Sequence, residues 1–348
     1  MAIVTHEIAP DGDTIIVVKN PNAPFVPCPS PSSKMPSTSS KSANDANNAI
    51  DEYKSCPEVR IRVSSSHLKF ASPFFKRALS GDWKEAQTLR ETGSVEIETS
   101  DWDIEALLLL MRILHCKLSK LPKGIDIERL AKILVLVDYY ECNDLIGFLG
   151  ERWPTQLYTF QNIRVTTIRF WVAWTLKHAE GFSHYATMLV RHVDRPIMSL
   201  GLPIPSSIID DLNERRENAL SSSIHLIKAQ KHVWKSQDRL CHKLCKYVCH
   251  GALKDFIAAK KLSGADAPYQ GLSLHDLQAA LEDLKPPQFR EWTKDKPDPD
   301  SPIKPHECKH TRFSQLRSAV ASKDIKGVEL SEFKSSSNEA KPVVANKD

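Results

Sequence analysis

The sequence has few of the features that would take it outside the ordinary globular proteins. Its 8 cysteines in 348 residues are too sparse for a disulfide-stapled secreted scaffold. The N-terminus has no basic start and no long apolar stretch, so it does not resemble a secretory signal. The most apolar windows, at 106–111 and 133–137, are far shorter than the roughly 20 residues that cross a bilayer. We therefore expect an intracellular protein, in the nucleus or the cytoplasm, with reduced thiols and no membrane span.

The sequence also lacks the short motifs that carry common chemistry. It contains no P-loop, no dinucleotide-binding fingerprint, no EF-hand loop and no C-x2-C pair. The histidines near residues 178–192 have no metal-ligand spacing such as H-E-x-x-H. These absences predict a protein that is not an enzyme, with no cofactor and no small-molecule substrate.

What is present is an ordinary globular composition, with 41% hydrophobic and 26% charged residues and a net charge of +4. The charge alone points to no particular partner. At about 150 residues per domain, the length predicts about two domains.

Two strand patterns near the N-terminus are separated by a polar insertion. The residues "DTIIVVKN" (13–20) are β-branched, and "EVRIRVS" (58–64) alternates apolar with polar residues, so both predict strands. The segment 21–55 between them is rich in Pro, Ser and Asn, which predicts a mostly disordered insertion. Closing such a loop costs little more as it lengthens, so we expect the two strands to pair across it.

The stretch "SSSHLKFASPFFKRALSGDWKE" (64–85) is open to two interpretations. A serine beside His67 could be a nucleophile beside its base, which requires hydrogen-bond contact and a third group that orients the base. The alternative is structural: Ser72 caps a helix that has Pro73 at its first position, and the His67 ring ties the turn to nearby backbone. Adjacent side chains diverge, and no glycines flank the serines as in a nucleophile elbow, so we favour the structural interpretation.

Further along, the patterns are mainly helical. Phe74, Phe75, Ala78 and Leu79 share one face of the helix after Ser72, and Gly81 is the predicted stop. A short strand at 94–98 is followed by a helix that begins at a capping box of Ser100 with Asp103, and by helices that begin at Asp126 and at Asn143, the last ending at Pro154. Beyond residue 162 only helices are predicted, including a hairpin broken near Gly181, a long helix from about Ser206 and a helix capped by Ser273.

Several of these motifs, in this order, resemble the BTB/POZ domain, especially that of filamentous-fungal proteins. The resemblance lies in Asp13 opening the first strand, then His67, then Ala71-Ser72 and Phe75, and in "VEIETSDWDIEALLLLMRILH" and "LAKILVLVDYYECNDLIGFLGERW" after them. It covers about residues 11–155. The chain departs from the family pattern where Leu68 replaces the lysine that follows the histidine, and where the 21–55 insertion replaces a short hairpin.

The resemblance implies an α+β fold, in which a small β-sheet with surrounding helices is followed by a mostly α-helical C-terminal region. We predict an N-terminal tail at 1–10, a BTB/POZ-like domain at 11–157, a helical domain at 158–332 and a disordered tail at 333–348. The implied function is protein–protein interaction, as an oligomerisation unit or an adaptor for a cullin-type ubiquitin ligase or a transcriptional complex. The partners would be a second copy of the chain or a cullin-type scaffold. The residues of the structural framework would be Asp13, His67, Ser72, Phe74, Phe75 and Leu79.

A cysteine-containing stretch near residue 245 leaves two alternatives open. Cys241, Cys245 and Cys249 lie four residues apart, and a zinc site could combine two of them with Cys308 and with His306 or His310. The alternative, which we favour, is that these cysteines are small buried core residues.

The same stretch is strongly basic. Residues 228–261 hold nine Lys or Arg and two Asp. On a single helix over 228–250, one stripe would carry Lys228, Lys231, Lys235, Arg239, His242 and Lys246. Such a stripe could bind nucleic acid or another polyanion, and a chromatin-associated factor is therefore the alternative function. A solvated helix face remains the simpler interpretation, so nucleic acid ranks behind protein as the partner.

Overall fold

The computed structural model describes residues 4–26, 58–236, 243–284, 313–322 and 328–333. The fold is α+β, as predicted. The chain divides into two compact units, one of residues 1–182 with 199–204 and one of residues 183–198 with 205–348. We describe each unit by itself.

A four-stranded sheet forms the β part of the first unit. Its strands are β1 (Val4–Glu7), β2 (Thr14–Lys19), β3 (Glu58–Val63) and β4 (Val95–Ser100), in the spatial order β1-β3-β2-β4. β2 pairs antiparallel with β3, so the predicted pairing across the insertion is confirmed. β1 runs parallel to β3, and β4 runs parallel to β2. The prediction of a tail at 1–10 is therefore wrong for residues 4–7, which are too short and too polar to reveal a strand by pattern.

The alternation in β3 separates two faces of the sheet. Val59, Ile61 and Val63 are completely buried, whereas Arg60 and Arg62 are half-buried on the opposite face. On that second face a ladder of ion pairs crosses the strands: Arg60 binds Glu58 and Glu96, and Lys19 binds Glu98 at 2.6 Å. The apolar face receives the helices, as the sequence pattern predicts.

Among the described residues of this unit, the strands are followed or interrupted by the helices α1 (Ser65–Ala71), α2 (Pro73–Ser80), α3 (Lys84–Thr92), α4 (Ile104–Leu114), α5 (Ile127–Tyr139) and α6 (Leu145–Arg152). α2 begins after Ser72 and ends at Gly81, both as predicted. α4 is capped by Asp103, and Ser100 instead ends β4. Nine of the eleven residues of α4 are buried, which makes it the central helix of the unit. α1 was not predicted, because its seven residues carry no recognisable apolar period.

The helix α7 (Ile163–Thr175) packs on α5 and belongs to the first unit. Its Arg164 donates hydrogen bonds to the carboxylate of Glu128 and to the carbonyls of Phe25 and Val26. The predicted domain boundary at 157/158 is therefore too early. Residues 21–26 of the predicted disordered insertion are packed here, with Val26 buried, and the rest of that insertion lies outside the described residues.

The helical hairpin is present, but its break, predicted near Gly181, lies earlier, at residues 176–178. α7 ends at Thr175, and α8 (Ala179–His192) already includes Gly181. Lys177 turns the chain with a φ of 56°, and Nδ1 of His178 accepts a hydrogen bond from the Gly181 amide at 3.1 Å. A Cβ on residue 181 would lie 2.5 Å from that nitrogen, so glycine here accommodates a helix cap rather than a chain break.

The second unit is helical throughout the residues described. It contains α9 (Ser206–Ser236), α10 (Lys243–Ala259), α11 (Leu274–Asp283) and α12 (Phe313–Ala321). Ser273 caps α11, as predicted. One buried cluster joins the four helices and includes Leu220, Trp234, Leu253, Leu277 and Phe313.

Candidate functional site

The turn that leads from β3 into α1 and α2 is held by two side chains from distant parts of the chain, Asp13 and His115. Asp13, at the start of β2, accepts one hydrogen bond from the Ser65 amide and another from the Ser65 hydroxyl, each at 2.7 Å. Partial burial raises the pKa of Asp13, but the hydrogen bonds, chiefly those from Ser65, together lower it by more. The pKa of Asp13 therefore lies below its usual value. Asp13 is therefore ionised, and its carboxylate holds the first turn of α1 in place.

The histidine that ties this turn to the backbone is His115, at the C-terminal end of α4. Its Nε2 accepts a hydrogen bond from the Ser64 amide at 2.9 Å, and its Nδ1 lies 2.8 Å from the Met111 carbonyl. A carbonyl only accepts, so Nδ1 carries the proton and the ring is neutral. Burial is the main reason that the pKa of His115 is lowered, and the nearby charge of His67 adds to the effect.

His67 does not have the role that the sequence predicted for it. Its exposed ring stacks on the ring of His115, with the centroids 4.9 Å apart. The bonds to backbone come from His115, which lies 48 positions later and was missed. Its one sequence signal is a position directly after the most apolar helix, where an imidazole can bond the last carbonyls of the helix.

The serine triplet is not arranged as a nucleophile beside a base. The Ser65 hydroxyl donates to Asp13, and within the described part of the chain no serine hydroxyl of this triplet is hydrogen-bonded to either histidine ring; the Ser64 bond to His115 comes from the backbone amide. Both nitrogens of His115 are engaged with backbone groups. The geometry favours the structural interpretation of this stretch.

Ser72 links α2 to the end of α5. Its hydroxyl oxygen accepts a hydrogen bond from the Phe75 amide at 3.1 Å and donates one to the Tyr140 carbonyl at 2.6 Å. Phe75 is completely buried and stacks on Tyr140 at 4.7 Å, and Leu79 is buried one turn further along. Phe74 is half-buried and contacts both Tyr139 and Tyr140. Of the six predicted framework residues, all but His67 thus hold the turn or fill the core beneath it.

Large apolar side chains remain exposed around this framework. Phe70, in the last turn of α1, is 95% exposed, and Trp83, between α2 and α3, is 65% exposed. Tyr139, at the end of α5, is 43% exposed. Burying a phenylalanine contributes about 1.5–3 kcal/mol, so an almost fully exposed one is the kind of residue that a partner would cover.

The predicted basic stripe does not lie on one helix. Residues 228–235 belong to α9, and residues from 243 on belong to α10, which packs back against α9. The ammonium group of Lys228 lies 3.4 Å from the carbonyl of Ser263, just beyond the end of α10. Lys231 and Lys235 of α9 instead lie close enough to His250 of α10 for their charges to lower its pKa. Arg239, His242 and the side chain of Lys246 lie outside the residues described.

The candidate zinc ligands are for the most part outside the described residues as well, namely Cys241, the side chain of Cys245, His306, Cys308 and His310. Cys249 is described, and it is buried in the core of the second unit beside Leu253 and Phe256. For this cysteine the core interpretation is confirmed.

No protein-family model matches the sequence, and none of the curated proteins is significantly similar to it. Within the described ranges, no helix has both the length and the apolar character needed to span a membrane.

Proposed function

We propose that the first unit is a BTB/POZ-like protein-interaction module, and that the chain acts as an oligomerisation unit or as an adaptor. The order of motifs in the sequence supports the proposal. The paired strands β2 and β3 and the cap at Ser72 occur where that resemblance expects them. The observation that carries the proposal is Phe70, which exposes 95% of its surface on a helix whose other side is packed.

The exposed side of α1 is suited to contact with a second protein. Ser66, His67 and Phe70 lie at positions i, i+1 and i+4 and are all exposed, whereas Ser65 and Leu68 on the other side are buried. Asp13 and His115 hold the N-terminal end of this helix in place. Aromatic anchors on a rigid support are typical of the residues that dominate binding energy at protein interfaces.

The test is the molar mass of the full chain by size-exclusion chromatography with light scattering. The proposal expects a concentration-dependent mass above that of the 39.2 kDa monomer. Phe70→Asp should shift the chain to the monomer. Leu118→Asp, at a residue that is 48% exposed in the same unit, is the matched control and should leave the mass unchanged.

The adaptor role is tested separately with a purified cullin-type scaffold. Binding by the wild-type chain that is weakened about tenfold or more by Phe70→Asp supports it. A chain that is monomeric at all concentrations and does not bind the scaffold would contradict the proposal.

A second candidate function is binding of nucleic acid through the second unit. It is favoured by the cluster of Lys231, Lys235, His250 and Lys254 across α9 and α10. Partial burial and then the charges of these three lysines lower the pKa of His250, which indicates that like charges converge there. A phosphate backbone would neutralise such a cluster.

The corresponding measurement is the salt dependence of binding to a DNA duplex. Replacing Lys231 and Lys235 by Gln should lower the slope of log affinity against log salt by about 1–2. The double replacement of Lys120 and Lys123 in the first unit serves as the control. An unchanged slope in the α9 variant would remove this candidate.

A further inference from the structure

The strand β4 lies at the edge of the sheet and has one neighbour, β2. The Val95 amide donates to the Asp13 carbonyl at 2.9 Å, and the Asp101 amide donates to the Lys19 carbonyl at 3.0 Å. Alternate residues of a strand direct their backbone groups to opposite sides, so those of Glu96 and Glu98 point away from β2. Within the described residues, these outward N–H and C=O groups meet no strand. They form a template for one more strand.

A groove of about 1110 Å³ runs along this free edge. Its far wall is formed by Phe74, Arg77 and Ala78 of α2, by Trp83 and by Thr88 of α3. Trp83 is 65% exposed, and its indole ring offers an apolar contact to anything that enters. The groove therefore combines backbone hydrogen-bonding groups with an aromatic wall.

The two faces of β4 determine which side chains an added strand would need. Val95 and Ile97 lie on the face towards the helices, and Glu96 and Glu98 lie on the opposite, exposed face. On that face the ladder joins three carboxylates, those of Glu58, Glu96 and Glu98, to two cations, Lys19 and Arg60, whereas the third cation of the face, Arg62, donates to the Gly12 carbonyl. A carboxylate accepts several hydrogen bonds, so Glu96 and Glu98 can each receive a further cation from an incoming strand.

A second copy of the same strand would not fit. Pairing β4 with itself would place Glu96 and Glu98 against the glutamates of the other copy, and like charges directly opposite each other destabilise a sheet. A polyanion is disfavoured for the same reason.

We propose that the free edge of β4 binds an extended peptide segment of a partner protein, in which Lys or Arg alternates with β-branched aliphatic residues. The peptide backbone would pair with the outward groups of Glu96 and Glu98. Its basic side chains would lie over the two carboxylates, and its aliphatic side chains would lie in the groove towards Ile97 and Trp83. The proposal refines the protein-interaction function by giving the chemistry of a partner, and it concerns a surface other than the exposed side of α1.

The first experiment titrates the full chain with a labelled peptide of about nine residues that alternates Lys with Val, and follows fluorescence anisotropy. Two control peptides are a block peptide of the same composition and a peptide that alternates Glu with Val. The alternating Lys peptide should bind at least about tenfold more tightly than either control. Binding should also slow amide exchange at Glu96 and Glu98, because those two amides become hydrogen-bonded.

Two variants then test the geometry. Glu98→Pro removes an outward N–H and leaves the ladder to β2 intact, because residue 98 makes no bond to β2; it should weaken binding about tenfold. Glu98→Lys should reverse the preference, so that the Glu peptide binds better than the Lys peptide. Glu91→Lys, at an exposed residue of α3 outside the groove lining, is the matched control and should change neither affinity.

Equal binding of the alternating and the block peptide would overturn the proposal, as would unchanged amide exchange at residues 96 and 98. Either result would leave the mass measurements on Phe70→Asp unaffected. Loss of self-association in Phe70→Asp would, in turn, leave peptide binding at β4 intact, so the two proposals fail separately. Wild-type exchange and Glu98→Lys keep the test decisive if Glu98→Pro does not fold.

Discussion

In the first unit several short side chains hold one turn, whereas in the second unit a single long side chain holds a whole loop. The turn before α2 relies on Asp13, His115 and Ser72, each of which makes at least two hydrogen bonds to nearby groups. The loop between α10 and α11 relies on Arg216, which is completely buried within α9. Both arrangements satisfy buried backbone groups, but one does so with an anion and neutral groups and the other with a cation.

Arg216 makes four hydrogen bonds, all to carbonyls. Its guanidinium donates to Val193, Pro268, Tyr269 and Leu272 at distances of 2.8–3.0 Å. Burial lowers the pKa of this group, and the charges of Glu217 and Asp194 partly oppose that effect. No carboxylate within the described residues forms an ion pair with it, so all of its direct hydrogen bonds are to carbonyl dipoles. The comparison indicates that the stability of the second unit depends on a single side chain, Arg216, whereas in the first unit several side chains share the same role.

The largest effect is therefore expected from Arg216→Met, which keeps an unbranched apolar stem and removes all four bonds. It should lower the free energy of unfolding of the second unit by about 3–5 kcal/mol, because several buried carbonyls lose their donors. Hydrogen exchange of the loop at 266–273 and of α9, followed by mass spectrometry, measures that loss locally.

The neighbouring Arg215 provides the control for that experiment. Arg215 forms ion pairs with Asp211 and Glu332 near the surface. Arg215→Met should cost at most about 1 kcal/mol, because partly exposed ion pairs contribute little. Equal losses for the two variants would contradict the view that Arg216 holds the loop.

Ser72→Ala in the first unit is expected to lower the free energy of unfolding by a smaller amount. The substitution removes the cap of α2 and the buried bond to the Tyr140 carbonyl, each worth about 1 kcal/mol. Because Asp13 and His115 still hold the turn, the total should stay near 2 kcal/mol in a urea titration read by exchange of α4 and α5. Ser66→Ala, at an exposed hydroxyl in α1, should change stability by less than about 0.5 kcal/mol.

The same contrast explains how far the sequence could predict the structure. The pairing of β2 with β3 and the caps at Ser72, Asp126 and Ser273 follow from local patterns, and the structure has them all. Arg216 could not be found, because it occupies one position in a long polar helix and its four partners are backbone groups in other segments. A sequence pattern predicts local geometry such as a helix cap. The role of a buried arginine depends on the distant carbonyls that surround it in the folded chain, and no local pattern indicates them.

His115 lies between these two cases. The sequence predicted that a histidine near Ser72 would form hydrogen bonds to the backbone. Such bonds exist, but His115 makes them rather than His67. The two rings stack, so their positions in space are adjacent although their positions in sequence are not. Similarly, the one helix predicted over 228–250 is replaced by two helices that pack on each other, since the apolar positions around Trp234 and Cys249 meet in one core.

The smallest effect is expected from the protonation of His115. Folding lowers its pKa, so the unfolded chain binds a proton more readily than the folded chain as the pH falls. The stability that neutral His115 contributes is therefore complete above about pH 6.5, the ordinary pKa of histidine, and is lost as the pH falls through the lower folded value. Protonated Nε2 can no longer accept from the Ser64 amide, a bond worth about 1 kcal/mol.

This effect is measured by the hydrogen-exchange protection factor of the Ser64 amide between about pH 7.5 and 5.5. That amide lies in the turn, so its protection reports on the turn alone. His192, in the second unit, also has a lowered pKa, chiefly through burial and then through His275, so a global melting curve would mix the two groups. In His115→Gln the amide side chain can accept from Ser64 and donate to Met111 but does not titrate, so protection should become independent of pH over this range. If protection falls equally in the wild type and in His115→Gln, another group controls the turn. The contrast between neutral His115 in the first unit and charged Arg216 in the second would then no longer hold.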